Sequence, residues 1–410
     1  MPLCRQTPVA SRLPFRVAAL TLILTVGSAT LAASAAAAKR GPDLVKATAY
    51  LVSPKNLIEG EYYTSLPHVA DFGLTIDGAL ALAASGKDIL ALKNIAGFLR
   101  SGKPDQSGKT VNYWSGIGTK FASGGSLAKE ALLAEVIGDN PRRFGGKDLI
   151  GGLDATVCRS ASPGSAGPCA AQGNYRYATS VFDQALGIIA QLRAGQKLAA
   201  RPAIAYLESL RNADGSFPSL IPPGHDSDID STAMAVMALA LVHSPRASAG
   251  VTSGLAWIAS RQQPGGGFHG VAGISVNSAG LAIQALSLRA SQYRRQIRLA
   301  MAFLASEQNP NGGFSAYAHG QPGSDLRATT QAVSGASGIS FGTLSRPLGP
   351  GSDHRTTAPG SYWSALPWLV GSLALALAFI LLVVLYMLRP WSNRPARADA
   401  AGSVQDRISS

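Results

Sequence analysis

Residues 230–239, "DSTAMAVMAL", align without a gap over residues 277–286, "NSAGLAIQAL". Both stretches are almost free of charge and apolar on most faces, which describes a helix buried all round rather than one with a wet side. Four further stretches share the pattern: "DGALALAASG" from Asp77, "SLAKEALLAEVIG" from Ser126, "DQALGIIAQLRAG" from Asp183 and "DLRATTQAVSGASG" from Asp325. Their starts lie 47 to 57 residues apart. Such a period marks a repeat architecture. Between the buried stretches run amphipathic segments, "DILALKNIAGFL", "PAIAYLESL", "SGLAWIAS" and "QIRLAMAFLA", which read as an outer layer.

Three units end in a Gly-rich turn before an aromatic residue: "RNADGSF" from Arg211, "RQQPGGGF" from Arg261 and "EQNPNGGF" from Glu307. Glycine permits positive φ at the helix exit, and the phenylalanine can fold back on the core. No strand pattern interrupts the series. The expected fold is all-α: an α6/α6 toroid of about six helical hairpins, with an open superhelix as the competing architecture. "TTQAVSGASG" lacks an outer helix of its own, and "DLVKATAYLV" from Asp43 is the candidate to complete the ring.

The ends of the chain carry different signals. Arg5, Arg12 and Arg16 precede an apolar run that closes in small residues before Lys39, the pattern of a secretory signal over 1–38. An uncleaved anchor is the alternative. Residues 365–388 are uncharged and long enough to cross a bilayer. Tryptophans and a tyrosine flank them, and Arg389, Arg394 and Arg397 follow, which places the tail 389–410 in the cytoplasm. The toroid is expected over 39–338 and a Gly/Ser/Pro tether over 339–364. The expected protein is a single-pass type I protein of the cell membrane with its toroid outside.

Of the formal charge of +13, three arginines belong to the signal and a net of two to the tail, leaving about +8 for the exported part. Its basic residues are scattered, so a nucleic-acid partner is not suggested. Cys4 leaves with the signal. Cys158 and Cys169 bracket a flexible loop in an oxidising compartment and are expected to pair.

"QQPGGGF" and "QNPNGGF" resemble the Gln-x-x-x-Gly-Gly-Phe/Trp signature of the prenyltransferase and squalene cyclase repeat, and "NADGSF" is a weaker copy. The resemblance covers most of Asp71 to Gly338. In that superfamily "DIDSTAMA" is similar to the D-x-D-D-T-A acid motif of class II terpene cyclases, which would make Asp230 the general acid. The motif's last aspartate is Ser231 here, and the exported domain has only two tryptophans, Trp114 and Trp257, with aromatics 7 % of the chain, to face a carbocation. No Asp-Asp pair occurs anywhere, the thioester motif is absent, and both available cysteines sit in the loop rather than in a zinc site. Asp226, Asp228 and Asp230 imitate the start of a calcium loop, but Ser231 and Met237 stand where Gly and Glu are needed.

The expectation is therefore a non-catalytic ligand-binding toroid without a cofactor, for which resemblance to the intrinsic factor and transcobalamin carriers suggests a corrinoid. Those carriers pair the toroid with a small β-domain, so a second protein or a transporter would complete the site. The alternatives are a class II cyclase-like isomerase acting through Asp230, and a surface scaffold for a protein partner. Candidate ligand-binding residues are Asp71, Asp77, Asp183, Asp228, Asp230, Asn277 and Asp325, expected around one mouth of the ring, with Tyr63, Tyr175 and Tyr177. An Asp before an apolar helix also reads simply as an N-cap. An aromatic wall at Asp230 would favour the cyclase, a wide polar mouth the carrier, and a filled centre the scaffold.

Overall fold

The computed structural model describes residues 41–349 except 163–166, 319 and 321–322. The expected signal over 1–38, the spanning segment over 365–388 and the tail over 389–410 lie outside the described residues. No helix among the described residues is long and apolar enough to cross a membrane.

Six buried helices form the inner ring: α2 (Phe72–Ser85), α5 (Gly124–Val136), α7 (Val181–Arg193), α9 (Ile229–Leu239), α11 (Val276–Leu286) and α13 (Leu326–Ala336). Each packs on the next, and α13 packs on α2, so the ring closes. The outer partners are α3 (Ile89–Ser101), α6 (Leu149–Ala155), α8 (Arg201–Ser209), α10 (Pro245–Ser260) and α12 (Arg294–Ser306). The sixth outer helix is α1 (Leu44–Leu51), which packs on α13. It completes the last unit with the first helix among the described residues, as "DLVKATAYLV" suggested. A short helix, α4 (Val111–Ser115), and two small hairpins lie in the loops before inner helices. The hairpins, β1 (Thr64–Leu66) with β2 (Val69–Ala70) and β3 (Phe268–Gly270) with β4 (Gly273–Ser275), are strands that the apolar periodicity did not announce.

All six inner helices start in the same way. Asp71, Ser123, Ser180, Asp228, Ser275 and Asp325 each cap a helix by accepting the amide of its third residue. Each such cap is worth about 0.5–2 kcal/mol. The fourth residue adds a second lock. Thr75, Thr232 and Thr329 donate to their caps' carbonyls and accept the amides of Tyr63, Phe217 and Phe314. In α7, Gln184 takes the amide of Tyr175 instead.

The Gly-rich turns join one unit to the next. Gln262 donates to Gly266 O within its turn and to Gln296 O of α12. Gln308 donates to Gly312 O and to Asp43 O, and accepts the Asp43 amide at 2.8 Å. Gly266 and Gly312 both sit at φ +92°, and a Cβ on either would come 2.2 Å from a backbone oxygen, of Leu299 and Lys46 respectively. Only glycine tolerates both conditions. The last turn thus receives the first helix.

Past Gly338 the chain does not leave the ring. Gln284 holds Ile339 O, Arg193 holds Phe341 O and Gly342 O, and Arg346 donates its backbone amide to Val136 O and its Nε to Ala83 O. Leu348 N reaches Ile137 O, and Phe341 and Leu344 are buried. Residues 339–348 therefore cross the C-terminal face of the ring, where the sequence had placed the start of a tether. Arg193 is itself paired with Glu135 at 3.1 Å, both largely buried. Burial pushes the Glu135 carboxyl up to about 8 against the pull of Arg193. The Cys158–Cys169 disulfide is formed, with Cα atoms 5.8 Å apart.

Gly312→Ala should lower the unfolding free energy in urea by about 1–3 kcal/mol through backbone strain alone, with more from the clash on Lys46. Gly97→Ala, in α3 with nothing within 4 Å of a new Cβ, should leave stability unchanged or raise it by up to ~1 kcal/mol. Equal losses in the two variants would contradict the closure described.

Candidate functional site

The inner helices all point their N-termini to one face, and the loops before them gather there. That face carries positive partial charge from six helix ends. Two register positions line it. The second residues of the six inner helices are Gly73, Gly125, Phe182, Asp230, Asn277 and Arg327, and the sixth residues, one turn deeper, are Asp77, Lys129, Leu186, Met234, Leu281 and Gln331. Contacts across the ring confirm the register. Lys129 Nζ meets Asp77 at 2.8 Å, and Arg327 meets both Asp71 at 3.1 Å and Asp77 at 3.6 Å.

The mouth is one turn deep. Most of its second-position residues are part-exposed, whereas Leu186, Met234 and Leu281 below them are 3, 0 and 2 % exposed. Side chains without accessible surface leave no room for a ligand between them. Below lie Ala81, Ala190, Ala238 and Ala285, fully buried as well. The ring is filled, and its deeper positions carry no aromatic wall.

The mouth has two unlike halves. Around α13, α2 and α5 the charges neutralise one another through Arg327, Asp71, Asp77 and Lys129. Burial works to raise the Asp71 carboxyl, but hydrogen bonds from Ser65 and the Leu74 amide, with Arg327 and Lys129, hold it low. Asp183, on α7, is raised by burial, against a hydrogen bond from Ser180 and the charge of Lys129. Around α9 and α11 pairing fails. Asp230 Oδ1 and Asn277 Oδ1 are buried atoms without a hydrogen-bond partner among the described residues, and so is Gln331 Oε1 on α13, while the Ser278 hydroxyl faces the Asp230 carboxyl. Burial pushes Asp230 up to about 7, with Asp228's charge adding to the rise and the adjacent Ser278 hydroxyl opposing it.

The three aspartates of "DSDID" separate. Asp226 accepts from Ser219, Asp228 caps α9 through the Ser231 amide, and Asp230 faces the ring. They form no metal cradle, and among the described residues no group of three acidic, His or Cys side chains could hold a metal. Asp325 is likewise occupied as a cap, accepting from the Ala328 amide. Asp77 does not begin a helix, since Asp71 is the cap and Asp77 lies six residues further in.

Two tyrosine candidates are structural. Tyr63 is fully buried against Gly78, and Tyr175 against Gly124 and Gly187 with its hydroxyl on Gln191. Neither reaches the mouth. Tyr177, at φ +58°, is 37 % exposed on the loop before α7. Sequence reasoning missed Lys129, Arg327, Ser278 and Gln331, which a count from the caps would have found. Glu130, beside Lys129, is a different case: fully buried against Asn112 and Gly145, it is raised to about 8 by burial, with Ser115 opposing.

Exposed apolar side chains crown this same face: Leu66, Tyr113, Phe121, Leu220 and Val271, from 60 to 98 % exposed.

A closed ring of paired helices with its polar mouth at the inner N-termini defines an α/α toroid. Residues 166–274 and 252–342 match the family model of the prenyltransferase alpha-alpha toroid domain. Residues 166–342 thus carry the sequence of such a domain, and the described ring as a whole has its fold. No curated protein matches the sequence significantly. Among solved structures it is similar to the type II terpene cyclase MstE from Scytonema, at 16 % identity over 72 % of this chain and 96 % of that one, TM-score 0.51. The same enzyme in complex with geranylgeranyl dihydroxybenzoate gives 14 % identity, 73 % and 97 % coverage and TM-score 0.51. A protein from Actinoplanes gives 16 % identity, 72 % and 98 % coverage and TM-score 0.50. At these identities the likeness is one of fold.

A carboxyl whose folded pKa is raised contributes stability that is present at low pH and lost as pH rises through that pKa. The stability of the wild type relative to Asp230→Asn should therefore fall from about pH 4 and level off above about pH 8. Urea midpoints of both proteins at pH 4.5, 6 and 8.5 measure it. Parallel profiles would show that Asp230 is not held in the buried state described.

Proposed function

We propose that this toroid is a non-catalytic binding module whose partner docks across the N-terminal mouth rather than entering the ring. The observation that carries the reading is the filled centre beneath a mouth only one turn deep. A substrate that must be folded inside the ring finds no space there, whereas a surface ligand finds the crown of Leu66, Phe121, Leu220 and Val271 around unpaired oxygens. A central polar notch with an apolar surround is how protein interfaces concentrate their binding energy. A protein partner is the occupant this geometry supports best.

A corrinoid held between the mouth and a second protein is the second reading. Its peripheral amides would donate to Asp230 and Asn277, whose side-chain oxygens lack partners. Chemistry of the class II cyclase type has one observation in its favour, the raised pKa of Asp230, which keeps a share of the carboxyl protonated near neutrality. The packed ring weighs against it. Placement at the cell surface rests on the sequence of 1–38 and 365–388.

Site-directed photocrosslinking on source cells tests the docking face. With a photoactivatable residue replacing Val271 or Phe121, the full-length chain should give a discrete heavier adduct. The same residue at Leu198, exposed on the opposite face, should give none. Adducts from neither mouth position, or from both faces alike, would refute the reading. Passing the protein over a sizing column with cobalamin checks the second: absorbance that co-elutes, and weakens in Asp230→Ala and Asn277→Ala, would support it.

A further inference from the structure

The half of the mouth between α9 and α11 has a chemistry of its own. Ser278 is 1 % exposed and turns its hydroxyl to the Asp230 carboxyl, while Asp230 Oδ1 and Asn277 Oδ1 are buried without a geometric partner. Gln331, 9 % exposed, adds another unpartnered oxygen on the neighbouring α13. A buried polar atom without a partner is costly, about 1–3 kcal/mol each, and a native fold keeps several together where something else satisfies them. The three unpartnered atoms are one carboxylate and two amide oxygens. Carboxylate and amide oxygens accept, so the complementary group is rich in N–H donors.

Charge decides which donor. The titratable groups on elements packed against α9 are Asp183 and Arg193 on α7, His269 on β3 and Arg246 on α10; α11 has none. Arg193 and Arg246 are spent on Glu135 and Glu208, away from the mouth. Asp183 lies against Gly125 and Lys129 of α5, so the notch itself holds Asp230 and Asp228, the cap of α9, with no lysine or arginine paired to either. The basic residues of the mouth, Lys129 and Arg327, are committed to Asp77 and Asp71 in the other half. Leu220, 60 % exposed in the loop before α9, and Val271, 98 % exposed on the hairpin that contacts both helices, stand on either side.

We propose that this notch receives a guanidinium or ammonium side chain of the docking partner, carried on an apolar stretch of peptide that lies against Leu220 and Val271. Asp230 supplies the opposite charge, and Asn277 and Ser278 take the remaining N–H groups. Fork-shaped guanidinium donors suit such a cluster best. The inference rests on the mouth being the docking face. Crosslinking from Val271 without peptide binding would sink the notch and leave the docking reading standing.

Calorimetric titration of the full-length chain with acetyl-Leu-Arg-Leu-amide tests it, with the uncharged citrulline isostere and hexylammonium as comparisons. At pH 8 the arginine peptide should bind at least about tenfold more tightly than the citrulline one, the scale of one charge-assisted pair. Asp230→Asn should remove that preference while its melting curve shows the protein folded. Lowering the pH from 8 to 6 should weaken arginine binding about tenfold, because cation binding requires the anion of a group that titrates near 7. Equal binding of arginine and citrulline peptides would reduce the site to its apolar crown. Binding of hexylammonium but not of the peptide would overturn a partner's side chain as the source. Absence of binding by all three would mean that the oxygens are satisfied by water only.

Discussion

The ring depends on a contact between its two ends. Gln308 exchanges hydrogen bonds with both the amide and the carbonyl of Asp43, while Gly312 lets the turn approach Lys46 more closely than any side chain would allow. The same device joins internal units, through Gln262 and Gly266, but there it only links neighbours. At Gln308 it converts a row of helical hairpins into a closed circle. Without α1 on α13, the last inner helix would present an apolar flank to water, which a repeat protein must cap or cover.

Closure in turn fixes the chemistry of the mouth. Six helices held at equal depth by six caps bring their second and sixth residues to common levels, so two positions per unit line the mouth. Small residues further down, such as Gly280 against Gly335, let the helices come so close that the centre fills. A ring that packs its own centre keeps a rim. The rim is where unpaired oxygens and uncovered apolar side chains remain.

Much of this was legible in the sequence, because a buried helix leaves a plain apolar signature and the Gly-rich turns recur at fixed spacing. The six units, the outer role of "DLVKATAYLV" and the disulfide follow from such local signals. The depth of the mouth does not. Whether Ala and Leu positions enclose space or fill it depends on how closely neighbouring helices approach, a tertiary quantity. Tyr63 and Tyr175 illustrate the limit, since a tyrosine before an inner helix can line a mouth or wedge under it, and the difference is the glycine it packs on. Asp77 misled for a simpler reason: it begins an apolar run, but the cap six residues earlier, Asp71, is what begins the helix.

The strap of residues 339–348 beneath the ring has a mechanical side. A chain that ended with α13 would transmit a pull at its terminus straight to that helix and peel it from α11 one turn at a time. Here Arg346 and Leu348 are bonded to the C-terminal ends of α2 and α5, and Arg193 grips the strap midway. A load applied at Gly349 is shared among several inner helices and acts across their hydrogen bonds together. Shear against many bonds at once resists better than unzipping.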